Sequence, residues 1–218
     1  MFAIAIDGPA AAGKSSTAQS VARELGMLHV DTGALYRAVA YYVDAHPETD
    51  LDSALSEMSI TVRHENGRQR TILDQRDVSD MIRSEKIGDL ASKLSDHTIV
   101  RQYLLDTQRN VAREHDVVMD GRDIGTVILP DADLKIFLTA SLEERAKRRM
   151  LQLGLPDLGQ VTKEIRQRDR QDAPRLRVKA PDAVILDSTF MEPENVTKAI
   201  VKMARHLMDK SREQGKDG

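Results

Sequence analysis

At 218 residues the chain is long for one compact domain and short for two full ones, which fits a single α/β core carrying one or two insertions. Hydrophobic residues at 40% suffice for a core and charged residues at 31% suit a soluble surface, while aromatics at 3%, with no tryptophan, leave no stacking platform for nucleic acid. The net charge of −3 disfavours non-specific polyanion binding, and the lack of cysteine excludes disulfides, thiolate metal sites and cysteine nucleophiles.

In chain order, the runs Phe2–Ile6, Leu28–Val30, Val117–Met119, Leu134–Leu138 and Ala183–Leu186 have the continuous apolar character of parallel strands buried on both faces. Helical patterns separate most of them, which predicts a doubly wound sheet with ligands at the carboxyl ends of its strands. The opening run lacks a charged leader and passes straight into Gly8, so it is expected to be a strand rather than a signal peptide. No apolar run approaches the roughly 20 residues of a membrane span, and a cytoplasmic protein is expected.

Two segments break the rhythm. Between Ile60 and Leu73, strand-like arms flank Asn66-Gly67, the signal of a type I′ hairpin. Residues 59–94 are therefore expected to be an insertion. Residues 154–181, bounded by Gly154 and Pro181 and dense in arginine, are expected to form a helix–loop–helix flap. A capping box of Ser141 with Glu144 opens the helix before it. A last helix starts near Pro193, with Val196, Ile200, Met203, Ala204 and Leu207 on one stripe, and the polar tail after Ser211 is expected to fray. Residues 1–58, 95–153 and 182–218 remain as the core.

The strongest local signal is Gly8-Pro9-Ala10-Ala11-Ala12-Gly13-Lys14-Ser15, which satisfies G-x-x-x-x-G-K-[ST] between a strand and a helix predicted over Thr17–Leu25. Its glycines let successive N–H groups point at phosphate oxygens, and the helix adds its positive end. Gly8 to Ser16 would thus bind ATP, with Lys14 on the β- and γ-phosphates and Ser15 on Mg²⁺. The motif names a donor nucleotide and says nothing of the acceptor.

Arginines speak to the acceptor. The flap holds Arg166, Arg168, Arg170, Arg175 and Arg177, which alone would read as a solvated helix face. Arg37 and Arg122, however, follow strand ends, and Arg101 lies on the insertion side. Convergence of these groups would hold more phosphate charge than ATP supplies, as phosphoryl transfer by electrostatic clamping demands. An alcohol acceptor would need a positioned base; a phosphate monoester is already anionic. The pattern favours a nucleoside monophosphate.

Five elements sharpen this: the opening Ile6-Asp7-Gly8-Pro9; Asp31-Thr32-Gly33-Ala34-Leu35-Tyr36-Arg37; Asp77-Val78-Ser79 with Ile82-Arg83, Ala91-Ser92 and Val100-Arg101; Asp120-Gly121-Arg122-Asp123-Ile124-Gly125-Thr126; and Arg168-Asp169 with Asp172 and Arg175. Together they resemble the bacterial cytidylate kinases, type 1 P-loop nucleoside monophosphate kinases, from Ile4 to about Val196. The resemblance implies a P-loop NTPase core with a five-stranded parallel sheet, a monophosphate-binding insertion over 59–94 and a short helical lid over 154–181.

It further implies that Ser92, Arg101 and Asp123 contact the cytosine edge, Asp123 accepting from the exocyclic amine, as carboxylates do with the cytosine C4 amino group. Thr32, Tyr36, Arg168 and Asp172 would surround the sugar, with Asp172 on the ribose hydroxyls. Arg37, Arg122 and Arg175 would grip the acceptor phosphate or the transferring group, and Asp120 would hold Mg²⁺ through water. With Lys14, the arginines 37, 122, 168 and 175 form the expected catalytic set. After Arg175 the chain is shorter and more basic than the family pattern, so Arg177 competes for that role.

Plainer roles are open for four of these residues. Asp120 and Asp123 could cap a turn, Tyr36 could be a core aromatic, and Ser92 could be a helix-surface serine. The six histidines show no ligand spacing and are expected to be structural or superficial. The functional expectation is ATP-dependent phosphorylation of CMP and dCMP by a monomer with no nucleic-acid or membrane partner. The alternatives are a P-loop kinase of another small acceptor, for which Asp31 would be the base, and a non-catalytic nucleotide-binding switch. The absence of an N-K-x-D element speaks against a GTPase.

Overall fold

The computed structural model describes residues 1–214. Five strands, β1 (Ala3–Asp7), β2 (Leu28–Asp31), β6 (Val117–Gly121), β7 (Leu134–Thr139) and β8 (Val184–Asp187), pair in parallel in the order β2-β6-β1-β7-β8. Each expected strand is present, β1 and β8 shifted by one residue and the other three extended by one or two residues toward the polar end.

Side chains alternate across a strand, so neighbouring apolar residues serve opposite faces. Ile4, Ile6, Val118, Ile136 and Leu138 pack on one face against α1 (Lys14–Leu25) and α8 (Pro193–Gln214), through Ala18, Val21, Val196 and Ile200. Ala5, Val30, Val117 and Met119 pack on the other, where Leu105 and Val111 of α5 (Thr98–Glu114) cover them. Fully buried side chains such as Ile4 and Ile6 each stabilise the sheet by about 1.5–3 kcal/mol. Among the described residues no helix is long and apolar enough to cross a membrane.

The expected hairpin is present. β3 (Ile60–Glu65) and β4 (Arg68–Leu73) run antiparallel with Glu65 opposite Arg68, and Asn66 and Gly67 both have positive φ (53° and 72°), as a type I′ turn requires. A short β5 (Arg76–Asp77) joins β4. The hairpin and α4 (Glu85–Leu94) pack on α2 (Thr32–Ala45) in a second core that includes Leu35, Val39, Ile60, Leu73, Ile82 and Ile87. Between α2 and the hairpin runs α3 (Leu51–Glu57).

The hairpin also finishes the main sheet. β2 is an edge strand with unpaired backbone groups. The Gln69 amide accepts from Asp31 N–H at 2.8 Å and donates to Asp31 C=O at 3.1 Å, while His64 Nε2 lies 2.8 Å from the His29 carbonyl oxygen. These side chains stand in for a missing sixth strand.

Three local expectations are corrected. The flap is not helix–loop–helix: α6 (Leu142–Leu153) ends at a left-handed Gly154, and one continuous helix, α7 (Leu158–Leu176), follows. The Asp157 carboxylate caps α7 by accepting from Gly159 and Gln160 N–H, and Pro174 falls in the last turn, where little helix remains to be broken. The capping box is half made. Ser141 Oγ accepts from Glu144 N–H, but the Glu144 carboxylate pairs with Arg148 instead of returning to Ser141, whose N–H donates to Thr189 Oγ1. Finally, α1 begins at Lys14 rather than Thr17, and α8 continues past Ser211 to Gln214; the rest of the expected frayed tail lies outside the described residues.

Two glycines separate steric from conformational cost. A Cβ on Gly67 would meet nothing within 4 Å, so Gly67→Ala should cost only the left-handed conformation, about 1–2 kcal/mol. A Cβ on Gly8 (φ 151°) would sit 2.0 Å from the Leu138 carbonyl oxygen, adding a backbone clash between β1 and β7. Denaturant unfolding should therefore show Gly8→Ala as clearly the more destabilised; equal losses would contradict this packing.

Candidate active site

The carboxyl ends of the strands open into a cleft of about 930 Å³. Its donor end is the loop between β1 and α1. Gly8, Ala11 and Gly13 all have positive φ, which curls the loop so that residues Ala10 to Ser16 line the cleft, whereas Gly8 and Pro9, expected to bind the nucleotide, are not among its lining residues. Lys14 is buried and donates to the Pro9 carbonyl at 2.7 Å. Burial, and then the nearby charge of Arg122, lower its pKa to about 7 against the pull of Asp120, Asp172 and Asp7. Ser15 Oγ donates to Asp120 Oδ2 at 2.6 Å, whereas Ser16 Oγ turns back to the Gly13 carbonyl.

Asp120 is central because of register. It pairs with Ile6 on β1 and Asp31 on β2, so β6 carries it between the phosphate loop and the start of α2. Its backbone carbonyl accepts from Thr32 Oγ1 at 2.7 Å, and its second carboxylate oxygen lies 2.7 Å from His29 Nε2. Burial opposes ionisation, but the hydrogen bond and charge of His29, with the Ser15 hydrogen bond and the Lys14 charge, together hold the Asp120 pKa below its ordinary value. Burial likewise opposes charge on His29, and Asp120 reverses this, raising the imidazole's pKa.

At the acceptor end, Arg101 pairs with Asp123 and approaches the Tyr36 hydroxyl at 3.5 Å. Asp123 precedes a π-helical turn, Ile124–Ile128, whose first two N–H groups (Ile124 and Gly125) donate to the Asp7 carboxylate at 2.8 Å each. Burial raises the Asp7 pKa in spite of these bonds. Ser92 Oγ donates to Gln171 of α7 at 3.2 Å. Arg37 donates to the carbonyls of Ile82 and Ser84 and passes so close to α4 that a Cβ on Gly88 would lie 2.6 Å from its guanidinium.

The lid helix closes the cleft with carboxylates. Asp172 accepts from Arg122 Nε at 2.6 Å and from Arg175 at 2.9 Å, and these two charges hold its pKa down although burial pushes it up. Arg175 also donates to Ser95 and pairs with Asp96. One turn earlier, Asp169 pairs at 2.8 Å with buried Arg145 of α6, which donates to the carbonyls of Ala10 and Ala140.

All the expected acceptor-side residues line the cleft: Thr32, Tyr36, Arg37, Ser92, Arg101, Arg122, Asp123, Arg168, Asp172 and Arg175. Of the flap arginines, Arg166, Arg170 and Arg177 are not among its lining residues, and it is Arg175 that turns inward. Asp172 is engaged by arginines rather than free. The plainer turn-capping role does not describe Asp120, which lies inside β6. Sequence reasoning missed His29, Asp7 and Arg145, and also Arg148 and Arg149, which line the cleft beside Arg168. His29 and Asp31 share a face of β2, but only the strand order shows that Asp120 lies beside them.

A curled Gly-Lys-Ser loop at the first strand, on a sheet of this order, with arginines of α2, α5, α6, α7 and the turn after β6 lining the same cleft, defines a P-loop phosphotransferase. The family model of cytidylate kinase matches residues 4–206, and the chain belongs to that family. A cytidylate kinase of Geobacillus kaustophilus is 45% identical over 215 residues, covering 93% of this chain and 96% of its own. One from Lactococcus lactis is 41% identical over 216 residues, covering 94% and 98%. The fold is shared with an uncharacterised protein from Eubacterium ventriosum of known structure, at a TM-score of 0.55, 14% identity and coverage of 94% of this chain and 99% of that one.

The Arg145–Asp169 pair should tie the lid to the phosphate loop. Breaking a fully buried pair costs about 3–5 kcal/mol. Asp169 is 25% exposed and Arg145 keeps two carbonyl acceptors, so Asp169→Ala should lose less, about 1–3 kcal/mol. Chemical denaturation checks this; an unchanged midpoint would show that the pair does not hold α7 in place.

Proposed function

We propose that the protein transfers the γ-phosphoryl group of ATP to CMP and dCMP, giving CDP and dCDP. The observation that carries this reading is the Arg101–Asp123 pair in the cleft, beside the Tyr36 hydroxyl, with Ser92 lining the same cleft. Cytosine presents an amine donor at C4 and acceptors at N3 and O2. A carboxylate paired with a guanidinium matches that edge, whereas the uracil carbonyl at C4 would face the Asp123 carboxylate.

On this reading Lys14 and the loop amides hold the donor phosphates, while Arg37, Arg122, Arg168 and Arg175 neutralise the acceptor phosphate and the transferring group. Arg175 Nε is buried with no hydrogen-bond partner among the described residues, as suits a donor kept for an anionic oxygen. Thr32, Tyr36 and Asp172 surround the sugar. The acceptor oxygen is already anionic, so no base is needed.

Ser15 and Asp120 would hold Mg²⁺, which when bound supplies positive charge at the β- and γ-phosphate oxygens. They are suited to it: one hydroxyl and one ionised carboxylate face each other at the cleft floor. Among the described residues no cluster of three or more acidic, histidine or cysteine side chains forms a cage, and Mg²⁺ characteristically keeps several waters and takes substrate oxygens instead. A kinase of a small alcohol would need an unpaired base. Asp31 does not provide one, since it caps α2 and pairs with Arg83 at 3.1 Å.

A coupled ADP-release assay over CMP, dCMP, UMP, AMP and small alcohols should show fastest turnover with the cytidine nucleotides; faster turnover with AMP or an alcohol would sink the reading. In the same assay Asp123→Ala should raise KM for CMP by roughly 10- to 100-fold, from a base contact of about 1–3 kcal/mol, and leave KM for ATP nearly unchanged. Equal changes in both would move Asp123 to the donor side.

A further inference from the structure

We infer that His29 is a positioning residue for the cation side of the site: it holds Asp120 so that one carboxylate oxygen faces Ser15. This rests on the reading of Ser15 and Asp120 as the Mg²⁺ side of the P-loop.

His29 is not among the residues that line the cleft, and acts only through its neighbour. The two oxygens of Asp120 are divided. Oδ1 lies 2.7 Å from His29 Nε2 and Oδ2 accepts from Ser15 Oγ at 2.6 Å, with side-chain exposures of 11% for His29 and 4% for Asp120. An ionised carboxylate only accepts, so Nε2 carries the proton and donates. Thr32 fixes the backbone carbonyl of Asp120 at the same time, which leaves rotation of the carboxylate as the one freedom His29 removes.

His29 is itself held from behind. Its carbonyl oxygen receives His64 of the hairpin, and the adjacent Asp31 backbone is bracketed by Gln69. The imidazole therefore sits on a strand edge that the insertion has immobilised. Outer partners that orient a ligating group commonly change metal affinity 10- to 100-fold when removed. An apolar residue of similar size would fill the same space on β2 and leave Asp120 free to turn. A merely space-filling histidine would not touch cation dependence.

The test compares wild type with His29→Leu, which keeps volume and loses the donor, and His29→Gln, which keeps an N–H donor. ATP affinity is measured by calorimetry with Mg²⁺ and with a chelator, alongside CMP affinity and the Mg²⁺ concentration for half-maximal turnover. His29→Leu should lose roughly 10-fold or more of the Mg²⁺-dependent part of ATP affinity and need correspondingly more Mg²⁺. Chelator-condition ATP affinity and CMP affinity should stay within about twofold, and His29→Gln should recover most of the loss. A folded His29→Leu with the full Mg²⁺-dependent gain overturns the inference.

Should His29→Leu not fold, ring ¹⁵N spectra of wild type decide. His29 Nε2 should be protonated and its resonance should move when Mg²⁺ joins bound ATP; a bare Nε2 or an unmoved resonance overturns the inference. Wild-type ATP affinity indifferent to Mg²⁺ would instead remove the cation reading of Ser15 and Asp120 on which this rests.

Discussion

The buried Asp120 carboxylate at the end of β6 is the interaction around which the site is arranged. Because β6 lies between β2 and β1, the register sets Asp31, Asp120 and Ile6 side by side, with Asp7 one step further on against Gly121. A charge buried there is tolerable only if it is surrounded by donors. Ser15 arrives from the phosphate loop and His29 from β2, while Thr32 binds its backbone. Phosphate loop, edge strand and α2 are thus brought to one point by the needs of one carboxylate.

The lid repeats this logic with two further carboxylates. Asp169 and Asp172 project from neighbouring turns of α7 to two different anchors, the first to Arg145, which also donates to the Ala10 carbonyl of the phosphate loop, and the second to Arg122 after β6. Ser92 with Gln171 adds a link to the insertion. Buried ion pairs contribute little net stability once desolvation is counted, but they are specific about geometry. One helix fastened both to the phosphate loop and to the turn after β6 suits an enzyme that must not expose the donor phosphate to water before the acceptor is present.

The sheet and hairpin were legible because their signals are local: apolar runs ending in Asp31, Asp120 and Asp187, and Asn66-Gly67 between strand-like arms. The P-loop and the acceptor-side residues were legible from motif and resemblance. The flap was misread because Gly154 and Pro181 mark the ends of its connecting segments and not a loop between two helices, and the single helix between them tolerates Pro174 in its last turn. The capping box was half right, since Glu144 has a stronger local partner in Arg148 one turn on. His29, Asp7 and Arg145 escaped for another reason. Each acts on a residue about 90 or more positions away, and only strand order brings such pairs together.

The same geometry constrains how the proposed acceptor enters. In the structure Asp172 shares both oxygens with Arg122 and Arg175, two of the four guanidinium groups proposed to neutralise the acceptor phosphate and the transferring group. A phosphate dianion carries more charge than a carboxylate and offers three oxygens, so it competes well for that pair of planar donors. On the proposed reading, an oxygen of Asp172 would be released as the phosphate takes them, one helical turn from the Asp169–Arg145 pair. The freed carboxylate would then be able to accept from the ribose hydroxyls. Phosphate capture and sugar recognition would in this way be parts of a single exchange of partners at one buried residue.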